Sequence, residues 1–327
     1  MSRRRKSQED ILSEMGLCWI LAICILSSLT HHYTTRWHTQ DSTSLKRLYS
    51  GSHDVERRVS MQQWLYHRLT QDGWEGWNDP TYPPTEWNAY RYPLALSGYG
   101  QVLQYWQNTP SYSELTCHML PLIIERMIDR KVWEYWNDPS LCQINCPDPV
   151  YWGNVMYAGH LAHVMVLDEW ICSSQTWSQG WNFVWNKTVS FSYTLPQLLE
   201  RLQIQQKINP SGGIACEPNK VFPICNNYAQ AALGKWDPTN LDRSKWNHFI
   251  EQHAIRNDSN GFFHVVYNQI NKTWFDNILL PSAGSDAWML SWLLSWGNFD
   301  QNLGPEGMNH LLHSSYWISN KTFLTLA

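Results

Sequence analysis

Val150-Tyr-Trp-Gly-Asn-Val-Met-Tyr-Ala-Gly-His160-Leu-Ala-His-Val-Met-Val-Leu-Asp-Glu-Trp170 is the stretch whose reading decides the fold. It is too long for a strand and too continuously apolar for a surface helix, so residues 150–170 are predicted as a helix inside a helical protein. Working outward, residues 139–150 form a Pro/Cys loop before it. Upstream of that loop, residues 113–136 read as one long helix carrying Leu120, Ile123, Met127 and Trp133, with Pro121 as a kink or late start. Residues 90–106 read as another helix. From Ser60 a further helix is marked by Met61, Trp64, Leu65 and Leu69 at three- and four-residue spacing. A turn-rich loop, residues 72–86, separates these two. Downstream, residues 194–206, 224–233, 241–254 and 283–296 read likewise as helices. Strand signals are sparse; residues 261–267 with 273–275 suit one short hairpin. Long loops alternate with helices and no Gly-rich nucleotide loop occurs. The expectation is an all-α protein of the α/α toroid kind, with paired helices around a central cavity and loops at one end building the site. A two-domain helical bundle is the alternative.

Composition narrows the function. At 327 residues the chain can bury a large core, and a net charge of −4 with no basic stripe beyond the first residues argues against nucleic acid as partner. Tryptophan is the outlier, with 21 copies beside 16 tyrosines. Most of these pack helices, and the rest suit an aromatic pocket.

The N-terminus reads as a targeting segment. Arg3-Arg4-Arg5-Lys6 precedes an apolar run over residues 16–29, shorter than the roughly 20 residues of a full span. Basic residues ahead of it favour a cytoplasmic N-terminus with the rest translocated, and no crisp cleavage site follows. Residues 1–31 are therefore expected to be tail and membrane anchor or signal, 32–58 a polar linker, and 59–327 the catalytic domain. Sequons at Asn186, Asn257, Asn271 and Asn320 agree with a domain in the secretory lumen or outside, N-glycosylated in a eukaryote. Disulfides are then permitted: Cys142 and Cys146 flank a short loop and suit pairing with each other or with Cys117.

Proton-handling side chains stand out in this aromatic background. His160 sits in the deciding stretch, and Cys216-Glu217 and Cys225 follow, two thiols nine positions apart. A histidine near pKa 6.5 and a thiol near 8.5 exchange protons without a metal. His160 and His163 have an i, i+3 spacing that could ligate a metal, but no carboxylate or third histidine lies near in sequence, so neither metal nor cofactor is expected. Each residue also has a plain structural reading. Cys216 and Cys225 could form a disulfide, Glu217 could be a solvated loop charge, and His160 could be a satisfied helix histidine. Asp138 and Asp148 precede prolines in turns, and Tyr92 could simply begin its helix.

Two motifs carry a resemblance. Asn154-Val-Met156-Tyr157-Ala-Gly159-His160-Leu, preceded by Asp148-Pro, resembles the Asn-Ile-Met-Tyr-Ser-Gly-His-Leu block of the linalool dehydratase/isomerase family. Gly213-Ile-Ala-Cys216-Glu217-Pro218-Asn219, followed by Cys225-Asn226, resembles that family's two-cysteine segment. Arg91-Tyr92 and Asp286-Ala-Trp288 fit the same layout, and the resemblance covers roughly residues 60–300. It implies an (α/α)6 barrel, a ring-like homo-oligomer, and cofactor-free acid–base chemistry on an allylic isoprenoid alcohol. By position, His160, Cys216, Cys225 and Tyr92 are the implied polar contacts and Met156 a wall of the pocket. Glu86 stands where the family has an aspartate six residues before the tyrosine, and Ala158 replaces a serine. Glu217 is the further polar residue at the substrate site, and Tyr151, Trp152, Tyr157 and Tyr228 would offer aromatic faces to a developing cation. Two other functions compete. One is a carbohydrate-active barrel using Glu134, Asp138 or Glu217; the other is a non-catalytic membrane-anchored barrel with the two cysteines bridged.

Overall fold

The computed structural model of the chain describes residues 58–77, 89–237, 243–256, 262–275, 286–290, 306, 307 and 309, with the backbone alone at 52–57, 317–320 and 323–326. The apolar run at 16–29, the linker up to residue 51 and Glu86 lie outside the described residues. The chain divides into two compact units: Val55–Ala254 with Val265–Leu279, and Ile255–His264 and Leu280–Ala327 with Met1–Asp54.

The larger unit is mainly helical. Its elements are α1 (Ser52–Thr70), α2 (Arg91–Asn108), α3 (Glu114–Ile128), the short α4 (Arg130–Trp133) with a 3-10 turn Glu134–Asn137, α5 (Val155–Cys172) and α6 (Thr176–Gln179). A hairpin of β1 (Trp181–Val184) and β2 (Ser190–Tyr193) follows, then α7 (Leu195–Ile208), β3 (Lys220–Val221), α8 (Pro223–Trp236) and α9 (Ser244–Phe249), which runs into a π turn. β4 (Tyr267–Asn268) and β5 (Thr273–Trp274) join β3 in an antiparallel sheet of order β3-β4-β5. In the smaller unit, Asp286 opens a helical stretch and accepts the backbone N–H groups of Phe262 at 2.7 Å and Phe263 at 2.9 Å. Its backbone also forms the hairpin β6 (Trp317–Asn320) and β7 (Phe323–Leu326).

α5 is the axis of the larger unit. Every residue from Val155 to Asp168 is buried, which is why its sequence shows no polar stripe. It packs on α8, α3, α7 and α2. At the α8 crossing a Cβ on Gly159 would lie 3.2 Å from the Ala229 nitrogen, so glycine lets the two backbones close. Direction follows from the contacts. Tyr92 meets Met156 and Trp106 meets Trp170, while Tyr228 meets His160 and Lys235 meets Trp170. α2, α5 and α8 therefore run in parallel. α3 returns between them, since Tyr157 near the start of α5 bonds the Met127 carbonyl near the end of α3. α7 returns likewise, its Gln205 accepting from the Gly153 N–H.

Several boundaries differ from the sequence expectation. α1 begins at Ser52, inside the stretch read as linker, because its first turns are polar and leave no apolar period to detect. Its buried residues are Leu65 and Leu69, whereas Met61 and Trp64 are exposed. The helix expected over 113–136 does not break at Pro121, which lies inside α3. It breaks at extended Asp129, whose side chain caps Lys131 N–H at 2.9 Å, while Trp133 Nε1 donates to the Ile128 carbonyl. α5 starts at Val155 and not at 150, because Gly153 and Asn154 are both left-handed, with φ of +71° and +59°. The β1–β2 hairpin was not expected at all. Disulfides join Cys142 to Cys146 and Cys117 to Cys172, so the first of the two expected partners of Cys142 is the one found. No helix among the described residues is long and apolar enough to cross a membrane.

Candidate active site

Helical spacing and the parallel packing of three helices assemble the site. Tyr92 and Tyr99 are seven apart on α2; Met156, His160 and His163 fall at i, i+4 and i+7 on α5; Cys225 and Tyr228 are three apart on α8. Each set shares one face, and the faces meet. The Tyr92 hydroxyl lies 3.6 Å from Met156 Sδ, as does Arg91 Nη2. The Tyr99 hydroxyl is hydrogen-bonded to His160 Nδ1 at 2.8 Å. The Tyr228 ring lies 3.8 Å from that of His160 and stacks on Tyr99 at 5.5 Å. All these residues are buried.

The second cysteine motif arrives on a strap before α8. Asn226, on the first turn of α8, holds it: its Oδ1 accepts from Ile214 N–H at 2.6 Å and its Nδ2 donates to the Ile214 carbonyl at 3.0 Å. The Val155 N–H donates to the Ala215 carbonyl at 3.2 Å, tying the strap to the start of α5. The Cys216 N–H donates to the Lys220 carbonyl at 2.9 Å. Cys216 is thereby placed beside Cys225, with the Met156 backbone next to it. Both thiols are free and buried.

Burial sets the electrostatics. It pushes the Cys216 thiol well above its usual value, and the neighbouring Cys225 and the charge of Glu217 add to the rise. Burial likewise raises Tyr92, against the pull of Arg91, and takes Tyr135 up to about 12. His160 is held well below the usual histidine range by burial, then by His163 and Arg91. His163 is pushed down to about 3 by burial. Arg91 is the fixed charge of the site. Burial opposes its charge, but Tyr135 and Tyr92 more than compensate and its pKa is raised; its guanidinium lies 4.5 Å and 4.7 Å from their ring centroids. At neutral pH the cluster thus holds a protonated thiol, neutral phenols, a neutral imidazole whose Nε2 is buried and without a hydrogen-bond partner among the described residues, and one guanidinium.

The structure brings together Tyr92, Met156, His160, Cys216, Cys225 and Tyr228. The other expected residues lie elsewhere. Glu217 makes a half-exposed ion pair with Lys220 at 2.7 Å. Tyr157 turns the other way and spends its hydroxyl on the Met127 carbonyl at 2.8 Å. Tyr151 lies under Arg201, whose guanidinium is 4.4 Å from its ring centroid. Trp152 lines a cleft of about 190 Å³ with Trp136, Gln205, Glu217 and Gln269; this cleft touches the residues flanking Cys216 and not the thiol. Asp148 makes the expected turn, accepting from Val150 and Tyr151 N–H, and also takes the Tyr193 hydroxyl at 2.7 Å. Asp138 is an exposed cap for Ser140, and Glu134 is an exposed partner of Arg130.

Sequence reasoning missed the roles of Arg91, Tyr99, Tyr135 and Asn226. Two signals were present: Arg91 is the only charge in α2, and Tyr99 follows Tyr92 by two helical turns. Tyr135, whose hydroxyl bonds Asn154 Oδ1, gave none, because its turn could not be foreseen. The model of the linalool dehydratase/isomerase family matches residues 91–325. That span opens on the buried arginine, takes in the strap and all three helices of the cluster, and covers well over half of the sequence. The chain belongs to the linalool dehydratase/isomerase family.

Proposed function

We propose that the chain is a cofactor-independent acid–base lyase/isomerase acting on an isoprenoid or similar apolar allylic alcohol. The observation that carries this is the pair of free, buried, neighbouring thiols, joined through Tyr92 to a buried neutral histidine in one cluster. Losing water from an alcohol needs a proton donor at the hydroxyl and an acceptor near the adjacent carbon. Cys216, kept protonated by burial, serves as donor, and the C–O bond breaks to release water and leave an allylic cation. His160 or the resulting thiolate then takes a proton from the neighbouring carbon, giving the diene; readdition of water at the other allylic carbon gives the isomer instead. Tyr99 governs which His160 nitrogen carries the proton. When Tyr99 donates to Nδ1, Nε2 bears the hydrogen; when Nδ1 donates, Nε2 is the base. The Tyr92 and Tyr228 rings face the cation, and Glu86 supplies the carboxylate that the family places before the tyrosine.

The parallel direction of α2, α5 and α8, with α3 and α7 returning between them, supports the (α/α)6 barrel. Glu134 and Asp138 are exposed and engaged on their own turns, which favours this chemistry over carboxylate-driven glycoside cleavage. Two disulfides and the exposed sequons Asn186 and Asn271, each on a hairpin turn, support a domain in an oxidising compartment, anchored by residues 16–29. A homo-oligomer belongs to the same proposal.

The test is anaerobic incubation of wild type and Cys216→Ala with isoprenoid alcohols of graded length, products read by gas chromatography–mass spectrometry. Dehydrated or rearranged product in wild type alone is the expected result. Equal turnover by the variant, or none across the series by folded wild type with Cys216 and Cys225 both free, overturns the proposal.

A further inference from the structure

The last turns of α2, α5 and α8 gather at the end of the larger unit opposite the thiols, and each carries a tryptophan in contact with water. Trp106, Trp170 and Trp236 are 47%, 41% and 40% exposed. Trp106 and Trp170 meet edge to face at 5.1 Å, and Lys235 Nζ lies 3.2 Å from the Trp170 centroid. The neighbouring turn between α2 and α3 exposes Tyr112, and the first turn of α3 exposes Leu115. α1 runs antiparallel to α2, Gln62 bonding Gln104 and Arg58 bonding Asn108, so its first half with exposed Met61 reaches the same end. Large aromatic rings with one polar atom, beside a lysine, are what the boundary between lipid headgroups and acyl chains selects.

We infer that this tryptophan-bearing end is a docking surface for the headgroup region of a lipid bilayer. The inference rests on the anchored reading above, and the sequence agrees with it. The apolar run ends at Leu29, and α1, which starts at Ser52, brings Arg58 to this same end. The 22 residues between them (30–51) can span up to about 75 Å when extended. A tether of that reach does not orient the domain by itself; the aromatic end does. The thiol site, at the first turns of the same helices, then lies away from the membrane by the length of an 18-residue helix, about 27 Å. Substrate would reach it from the aqueous side, not through the domain's contact with lipid.

The test uses the full chain reconstituted in phosphatidylcholine vesicles. Flotation reads anchoring, and hydroxyl-radical labelling reads the surface. The expected result is flotation with suppressed labelling of Trp106, Trp170, Trp236 and Met61, relative to the exposed Val184, Ile208 and Ile270 elsewhere. A photoactivated carbene probe dissolved in the bilayer should mark the first group and spare the second. The Trp106→Ser/Trp170→Ser/Trp236→Ser variant should still float but lose the suppression at Met61. Flotation with equal labelling of both groups overturns the docking surface and leaves the anchor standing. Failure to float overturns both. Suppression that persists in detergent and grows with protein concentration assigns the face to a second copy of the chain. Suppression in detergent that requires added soluble oligosaccharide assigns it to sugar. Either overturns the lipid assignment. The wild-type labelling decides the matter even if the triple variant fails to fold.

Discussion

Asn226→Ala should cost about 4–6 kcal/mol and free Cys216 from its place. Asn226 is fully buried and makes three side-chain hydrogen bonds, to Ile214 N–H, the Ile214 carbonyl and the Phe222 carbonyl. At about 1 kcal/mol net for each bond, their loss alone gives roughly 3 kcal/mol. The Phe222 carbonyl keeps a second donor in the Asn226 backbone N–H, so its share is the smallest. Ile214 is 0% exposed, and leaving its N–H unpaired adds about 1–3 kcal/mol of desolvation. Asn226→Asp separates the terms. It keeps the acceptor for Ile214 N–H, loses both donors, and buries a carboxyl whose pKa must rise, so its stability should fall as pH rises above about 4. Urea unfolding at fixed pH reads the global cost, and native-state alkylation of Cys216 reads release of the strap. A loss under about 1 kcal/mol with unchanged alkylation would refute the reasoning, because the strap would then be held by the Val155 and Lys220 contacts alone.

Other expectations follow from the same geometry. His160 and His163 have depressed pKa values in the fold, so the unfolded chain binds more protons once pH falls below about 6.5, and each costs about 1.4 kcal/mol per pH unit from there. Asp168, raised to about 6 by burial, acts oppositely between about 4 and 6, because its protonated form is the one the fold keeps. Urea midpoints from pH 7 to 4 should therefore fall with acid, and His163→Gln should flatten the fall if it folds; an unchanged slope sinks the assignment. Tyr99→Phe removes the partner of His160 Nδ1 and should lower kcat roughly tenfold with little change in KM, whereas a purely structural Tyr99 would leave kcat unchanged. Cys117→Ala/Cys172→Ala opens a loop of sequence separation 55 and Cys142→Ala/Cys146→Ala one of 4. Chain entropy puts the costs at about 4 and about 2 kcal/mol, an order that thermal unfolding of the two double variants checks.

The helices were legible wherever apolar period and stop signals agreed. α2, α5, α7 and α8 fall within a few residues of expectation, because Thr194 caps α7 with Gln197 and the Cys/Pro loop delimits α5. The misses share a cause: local chemistry acting against the pattern. Two left-handed residues delay α5, and Asp129 divides a run that the apolar spacing would have continued. Within the site, the titrating residues showed because little else there ionises. Those that position them did not. Asn226 reads as an ordinary helix residue, and Tyr157 reads as a pocket residue although its hydroxyl serves a carbonyl of α3. Residue type reveals what can react; only the packing reveals which way it faces.

Among the six described cysteines, four are bonded and the two in the site are not. In an oxidising compartment this makes maturation a race. These six alone permit fifteen complete pairings among themselves, and Cys216 and Cys225, nine positions apart, would close a small loop early. On the proposed mechanism, a molecule that buries them before an oxidant arrives is competent, and one that oxidises first is sealed in an inert form. Yield of active protein should therefore track the speed with which the strap seats on α5, and a thiol–disulfide isomerase would act as the editor of that outcome.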